Sequence, residues 1–341
     1  MKENQTRELR DRHAAKFTDD ESNPRKLGIE LEFPLVSSRE ERFGQALSLE
    51  EVKKVFRHIG SNPSWEISAQ GLDAEMQVSG YKPAMNAEAG FSTLEIALPP
   101  ATSIAHAGAM LGDTAATAID AATANNAYVL GYGVHPVSPP SLDLYSPRAR
   151  SHAMRYQRPK LTKIQQDNGD ISNTISASVQ FHIGARNPQD AINLLNLFNG
   201  LAPEFIALSA NSRISRGKDS GEIDLRNRFY ERYTRYPIIG GVAPKFLDFD
   251  EYFRALLEMP VLLLKRDGVY VAITDNMTLG RFIDAGSATA TLADQGKPFK
   301  IHFEMEDRLK RSGSPFQSLP PRRSFSEGRK ISFCRSPRSL H

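Results

Sequence analysis

From Ile175 to Ile183 apolar and polar residues alternate without a break. Ile175, Ala177, Val179, Phe181 and Ile183 fall on one side of an extended chain, and Ser176, Ser178, Gln180 and His182 on the other. A period of two predicts a strand with one apolar and one polar face. Two other segments repeat the pattern with acids. In GIELEF, Glu30 and Glu32 leave one face while Ile29, Leu31 and Phe33 leave the other; in STLEIAL, Glu95 shares its face with Thr93, opposite Leu94, Ile96 and Leu98. A single such strand is satisfied with its polar face in water. Three of them, each carrying one or two oxygen or imidazole ligands on one face, predict a sheet lining a cavity that takes a hard cation.

The segments between these strands read as helices with recognisable ends. Ser48 and Glu51 form a capping box ahead of a stripe of Val52, Val55, Phe56 and Ile59. Residues 102–127 are Ala-rich, and Ala105, Ala109, Leu111, Ala116, Ile119 and Ala122 predict a small-residue face. Asn187 and Pro188 open another helix, with Asp190 in its first turn and a stripe of Ile192, Leu195, Phe198 and Leu201. A second helix runs to Asn211, followed by the Gly-rich loop SRISRGKDSG. Pro99-Pro100 closes the Glu95 strand, since neither residue donates to a ladder. The run LLLKRDGVYVAI predicts a hairpin on the two-residue turn Asp267-Gly268. Residues 1–24 are polar and are expected to be a flexible lead-in.

Two basic features invite a functional reading. SPRARSHAMRYQRPK places Arg148, Arg150, Arg155, Arg158 and Lys160 in one stretch, which suits either a solvated helix face or a wall facing a phosphate or carboxylate. In EIDLRNRF, Ile223 and Leu225 alternate with Asp224, Arg226 and Arg228, so a strand here projects two guanidiniums from one face. Arginine grips carboxylates and phosphates with two parallel hydrogen bonds; the plainer alternative is an ion pair with Asp224 or Glu222.

Composition narrows the class. The 341 residues are 40% hydrophobic, enough for one large or two modest domains. The single cysteine, Cys334, rules out an intrachain disulfide framework and fits a reducing cytoplasm. No apolar run approaches a membrane span, and the first residues do not form a signal peptide. Nine of the 43 Lys and Arg, but one of the 40 acidic residues, lie from Arg308 onward, so the body is acidic and lacks a nucleic-acid footprint.

GIELE, STLEIALPP, SVQFHIG, ALSANS with its Gly-rich loop, DLRNR and DEYFRALLEMPVLLLKRDGVYV, in that order, resemble the glutamate–cysteine ligases of the plant and proteobacterial type. The resemblance spans roughly residues 25 to 300. It implies an α+β fold, mainly an antiparallel sheet lining the active site with helices on its other face, similar to the glutamine synthetase catalytic domain. The catalytic domain is expected over 25–304. The implied reaction joins the γ-carboxylate of glutamate to the amine of cysteine through a γ-glutamyl phosphate, with ATP and Mg²⁺ and with small molecules as the partners. Glu30, Glu32, Glu95 and His182 are then the expected metal ligands, Arg226 the catalytic residue, and Gln180, Asn211 and Arg228 the substrate contacts.

The end of the chain departs from the family. Where relatives continue into a strand of the form E-V-R, this chain reads KIHFEMEDRLKRSG and then a Ser-, Pro- and Arg-rich stretch. Residues 305–341 are therefore expected to be a disordered basic tail, arising from a frameshift or truncation or kept as a genuine tail. Two alternatives follow: a carboxylate–amine ligase with another amine acceptor, and a non-catalytic remnant that still binds nucleotide.

Overall fold

Strand β1, Leu27–Ser37, is the longest among the described residues and the one on which the larger sheet is hung. Its first half pairs antiparallel with β7 (Val179–Gly184) on one edge and with β5 (Thr93–Ala97) on the other; its last three residues pair with β6 (Ala127–Val129). The sheet runs on from β5 through β4 (Ala84–Ala87) and β3 (Asp73–Met76) to β2 (Trp65–Ile67), so its order is β7-β1-β5-β4-β3-β2, and every pair along it is antiparallel. The change of partner along β1 past Pro34 curls the sheet. In this computed structural model the description covers all residues except 1, 18–24, 77–81, 149–150, 153–154, 157–158, 160–161, 227, 229–244, 267–268, 293–295, 305–307, 311–329 and 334–341.

Two helices cover one face of this sheet. Helix α2, Leu49–Ile59, starts at the expected capping box, with Ser48 accepting from the Glu51 amide and Glu51 reaching back. It buries Val52, Val55, Phe56 and Ile59 against Leu35, Met85, Leu94 and Ile96. Helix α3, Ile104–Thr123, packs beside it through Ala107, Thr114, Ala118, Ala121 and Ala122. Of the expected face only Ala122, and Leu111 in part, are turned to the core, and Ile119 is half exposed at 50%. Alanine on all sides leaves the sequence without an apolar direction, so only the packing chooses the buried stripe.

A second layer follows. Helix α4 spans Lys163–Thr174 and α5 spans Pro188–Gly200, capped by Asn187 as expected; α6 is Ala202–Ser209. Helix α5 buries Ala191, Ile192 and Leu195, while Leu201 at the end of the expected stripe is partly exposed. The hairpin β8–β9 (Ile214–Ser215 and Lys218–Asp219) turns on Arg216 and Gly217, both at positive φ. Then come α7 (Phe249–Leu257), β10 (Leu263–Arg266), β11 (Val269–Ile273), α8 (Leu279–Ala285), β12 (Ser287–Leu292) and β13 (Pro298–His302). Strands β10 to β13 make a second antiparallel sheet. Arg266 is in register with Val269, as a two-residue hairpin requires, although Asp267 and Gly268 themselves lie outside the described residues.

Both ends of the chain differ from expectation. Residues Lys2–Ala14 form helix α1 instead of a flexible lead-in. It docks through His13, which stacks on Phe249 at 5.8 Å, and through Phe17, which is buried. Leu9 and Ala14 pack there too, but the stripe Leu9, His13, Phe17 is too short and mixed to stand out in a polar segment. Within the expected disordered tail, Arg308–Lys310 forms β14 beside β10, and Lys330–Phe333 forms β15 beside β7. KISF has the alternation of a strand, and β7 would otherwise present unpaired backbone groups. No single helix among the described residues is long and apolar enough to cross a membrane; α5 and α6 reach that length only together, across a 54° bend.

One glycine joins the layers. A Cβ on Gly90 would stand 2.2 Å from the carbonyl oxygen of Thr174, at the end of α4. Backbone cannot yield there as a side chain would. Gly90→Ala is expected to cost about 1–3 kcal/mol in chemical denaturation, the range for forced overpacking.

Candidate active site

Register places the acids. Glu32 on β1 lies directly opposite Glu95 on β5, and Glu95 lies opposite Asn86 on β4. The turn that joins β4 to β5 adds Glu88, whose backbone N–H donates to Thr93. One oxygen from each of Glu32, Glu88 and Glu95 falls within 4.8 Å of the others, and all three side chains are half-buried. Like charges directly across a strand pair destabilise a sheet. This sheet places three of them together.

Two of the three expected glutamates thus meet, and a third arrives that the sequence did not single out. Glu88 sits in a turn, where side-chain direction has no period to read. The available signal was an acid close before Glu95 in the loop feeding its strand.

The remaining candidates lie around the trio in distinct roles. Glu30 is buried on the same face of β1, and its charge acts on both Glu32 and Glu95. His182 is 1% exposed, with Nε2 3.2 Å from Glu30 Oε1, although neither ring nitrogen has an aligned hydrogen-bond partner. The close contact is therefore one of proximity, with the hydrogen off line. Gln180 Nε2 donates to Glu32 Oε1 at 2.9 Å, and Ser178 Oγ donates to Glu32 Oε2 at 2.9 Å. Gln180 faces an acid of the site.

The arginines separate. Residues 223–226 form a turn and a helical start, not the expected strand, because Ser212 ties the segment down: its hydroxyl donates to Asp224 Oδ1 and accepts from the Arg226 amide. Arg226 is half-buried, donates through Nη1 to the Ala177 carbonyl at 3.0 Å, and its charge favours the ionised form of Glu32. Arg228 is exposed and pairs with Glu222, the plainer of the two sequence readings. Asn211 donates from Nδ2 to the Gly131 carbonyl at 2.6 Å, and its own carbonyl accepts from Gly133. Of the basic stretch, Arg148 is structural: its guanidinium donates to the carbonyls of Ala87 and Leu72 and to Asp73. Arg150, Arg158 and Lys160 belong to a segment only partly described: Arg150, Arg158 and Lys160 themselves lie outside the described residues.

Burial and mutual repulsion govern protonation. Although Glu32 keeps some accessible surface, its carboxyl group is deep enough that desolvation, then the charge of Glu88, pushes it up to about 8. Hydrogen bonding from Ser178 and the charge of Arg226 oppose the rise. Glu95 is raised well above the carboxylate range, first by burial and then by Glu88, Glu30 and Glu32. Nearby His135 is fully buried, its Nε2 3.1 Å from the Ser92 carbonyl; burial holds it down to about 4, so it stays neutral and ties its loop to β5.

The donor set fits a hard divalent cation. Three converging carboxylates that resist ionising together would ionise around a dipositive charge, and oxygen ligands are what Mg²⁺ takes. Glu32, Glu88 and Glu95 are the residues that would hold it.

The sequence pattern of glutamate-cysteine ligase family 2 matches residues 26–318. The chain belongs to that family. A Ralstonia pickettii (strain 12J) protein named "Putative glutamate--cysteine ligase 2" is 33% identical over 134 residues, a match that covers 39% of this chain and 32% of that protein. A solved structure of a Francisella tularensis glutamate–cysteine ligase in complex with AMP is similar with a TM-score of 0.32 and 15% identity, over 56% of this chain and 35% of that one. The chain thus matches about a third of the length of each relative.

The raised carboxyl groups give the site a pH signature. A group whose pKa is higher folded than unfolded binds its proton more tightly in the native state, so its stabilisation is full at low pH and is lost as pH rises through the folded value. For Glu32 that window lies between the ordinary carboxylate range and about pH 8. The cation-free protein is expected to melt lower at pH 8 than at pH 5.5. Glu32→Gln should flatten that slope, and an equally steep slope in the variant would assign the acids no part in it.

Proposed function

We propose that this chain is an ATP-dependent carboxylate–amine ligase that forms an amide between the γ-carboxylate of glutamate and the amine of cysteine. The observation that carries the reading is the convergence of Glu32, Glu88 and Glu95 on one face of an antiparallel sheet in a member of this family. The glutamine synthetase-like arrangement, the cytoplasmic setting and the extent of the catalytic body, residues 25–304, are part of the same proposal.

A carboxylate does not yield an amide to an amine at neutral pH, so it must first acquire a better leaving group. In the proposed sequence the γ-carboxylate oxygen attacks the γ-phosphorus of ATP and ADP leaves. The amine nitrogen then attacks the carbonyl carbon of the γ-glutamyl phosphate, loses a proton, and phosphate departs. Mg²⁺, when bound, supplies charge neutralisation between the anionic nucleotide and the anionic carboxylate. The protein holds the acids at fixed spacing on paired strands, with Ser178 and Gln180 orienting Glu32. Arg226, placed near Glu32 and anchored on Ala177, would stabilise negative charge that develops on the transferred group. Asn211 would orient substrate from the loop that borders it.

Turnover is tested by incubating the full chain with glutamate, cysteine, ATP and Mg²⁺ and measuring both phosphate and γ-glutamylcysteine, with other amines in parallel. Formation of the dipeptide, lost in Glu95→Gln with the fold retained, is the expected result. Phosphate release with another amine only would reassign the acceptor, and nucleotide binding without product would mark a non-catalytic remnant.

Arg226→Lys keeps the charge but loses the planar fork. It is expected to lower kcat more than it raises KM, and a change confined to KM would place Arg226 in ground-state binding.

A further inference from the structure

The acids of the site belong to a lateral row that crosses five strands or strand edges on one face. Ser178, whose carbonyl accepts the Glu32 amide, stands outside Glu32; then follow Glu32, Glu95, Asn86 and Asp73, each in register with the next. The two central acids are flanked by neutral donors. Ser178 Oγ donates to Glu32, and Asn86 Nδ2 donates to Glu95 Oε1 at 2.8 Å.

Asn86 is 2% exposed, among the most buried polar residues of the sheet. The terminal torsion of a glutamate side chain is soft, with no sharp rotamer well. Nothing intrinsic to Glu95 therefore fixes the plane of its carboxyl group, whereas a donor from a rigid strand does. Asn86 is itself well seated: β4 is paired on both sides, and Arg148 clamps the next carbonyl, that of Ala87. An amide NH₂ gives hydrogen and cannot accept it, so it holds a carboxylate oxygen as an acceptor and leaves the other lone pairs for a cation.

We infer that Asn86 is a positioning residue for the cation site, orienting Glu95 toward Glu32 and Glu88. The inference rests on the reading of that trio as the cation site of the ligase. Outer hydrogen bonds of this kind typically change metal affinity by about 10–100-fold when removed.

The test is calorimetric titration of Mn²⁺, a spectroscopically and thermally convenient stand-in for Mg²⁺, into the full chain without nucleotide. Wild type is expected to bind saturably, and Asn86→Leu, similar in volume, to bind about 10-fold or more weakly while its cation-free melting temperature is kept. Because Asn86 acts through Glu95, adding Asn86→Leu to Glu95→Gln should cost little further affinity. If the leucine variant does not fold, Asn86→Thr, which suits a strand and whose hydroxyl is too short to replace the amide, takes its place in the same comparison. Equal Mn²⁺ affinity in wild type and variant would overturn the role of Asn86 and leave the site standing. Additive losses in the double variant, or an affinity loss that merely follows a lower melting temperature, would also overturn it. No binding by wild type would overturn the cation site as well.

Discussion

Two carboxylates facing each other across paired strands, with a third swung onto them from a turn, are an arrangement that folding alone disfavours. Each must lose water to enter the sheet, and each raises the cost of ionising the others. The chain accommodates the strain in two ways. Burial and mutual repulsion raise the affinity of Glu32 and Glu95 for protons, and the chain supplies donors at the edges of the cluster: Ser178 and Gln180 to Glu32, Asn86 to Glu95. The opposite, helix-covered face bears the ordinary hydrophobic core, with Phe56, Leu35, Met85, Leu94 and Ile96 fully enclosed. Stability and chemistry are thus divided between the two faces of one sheet.

Much of that division was legible because period two is a strong signal. The alternation in GIELEF and STLEIAL fixed which residues share a face, and antiparallel register then did the rest, bringing Glu32 opposite Glu95. Helix ends were legible for the same local reason, since the Ser48 capping box and the Asn187-Pro188 start are satisfied within a few residues. What local pattern could not carry was long-range. Glu88 depends on how a turn folds back, and Asn86 on which strand pairs with β5. The buried stripe of an all-alanine face depends on what docks against it. The strand expected at Arg226 became a helical turn because a serine fourteen residues earlier captured its amide. Helix α1 was missed because its docking stripe, Leu9, His13 and Phe17, is short and half aromatic or polar, with Ala14 beside it.

The loops beside the site are wired to the sheet by backbone and side-chain hydrogen bonds together. Gly133 donates to Asn211 and accepts from Ala177, and a Cβ on it would stand 3.0 Å from the Asn211 carbonyl. Ala177 in turn accepts from Arg226. The three segments that carry Asn211, Ser178 and Arg226 therefore share one contiguous set of hydrogen bonds. A displacement of any one is felt by the others, which is how a loop arginine can hold a fixed place relative to a strand carboxylate.

Strand β7 shows how far site and fold depend on the same contacts. The strand expected from Ile175 begins only at Val179, because Ile175 caps helix α4, and from there the polar face is the inward one: His182 is buried, whereas Val179 and Phe181 are 47% and 39% exposed. Burial of apolar surface accordingly contributes little to holding its outer half. Its position comes from backbone pairing with β1 and β15 and from the hydrogen bonds of Ser178 and Gln180 to Glu32. The acids that would gather a cation are therefore also what the adjoining strand is packed against. A sequence rule that sends apolar residues inward would have turned this strand over, and with it the donors that orient Glu32. The pairing register keeps it the other way: with Gln180 opposite Glu30, both residues must leave the same face of the sheet.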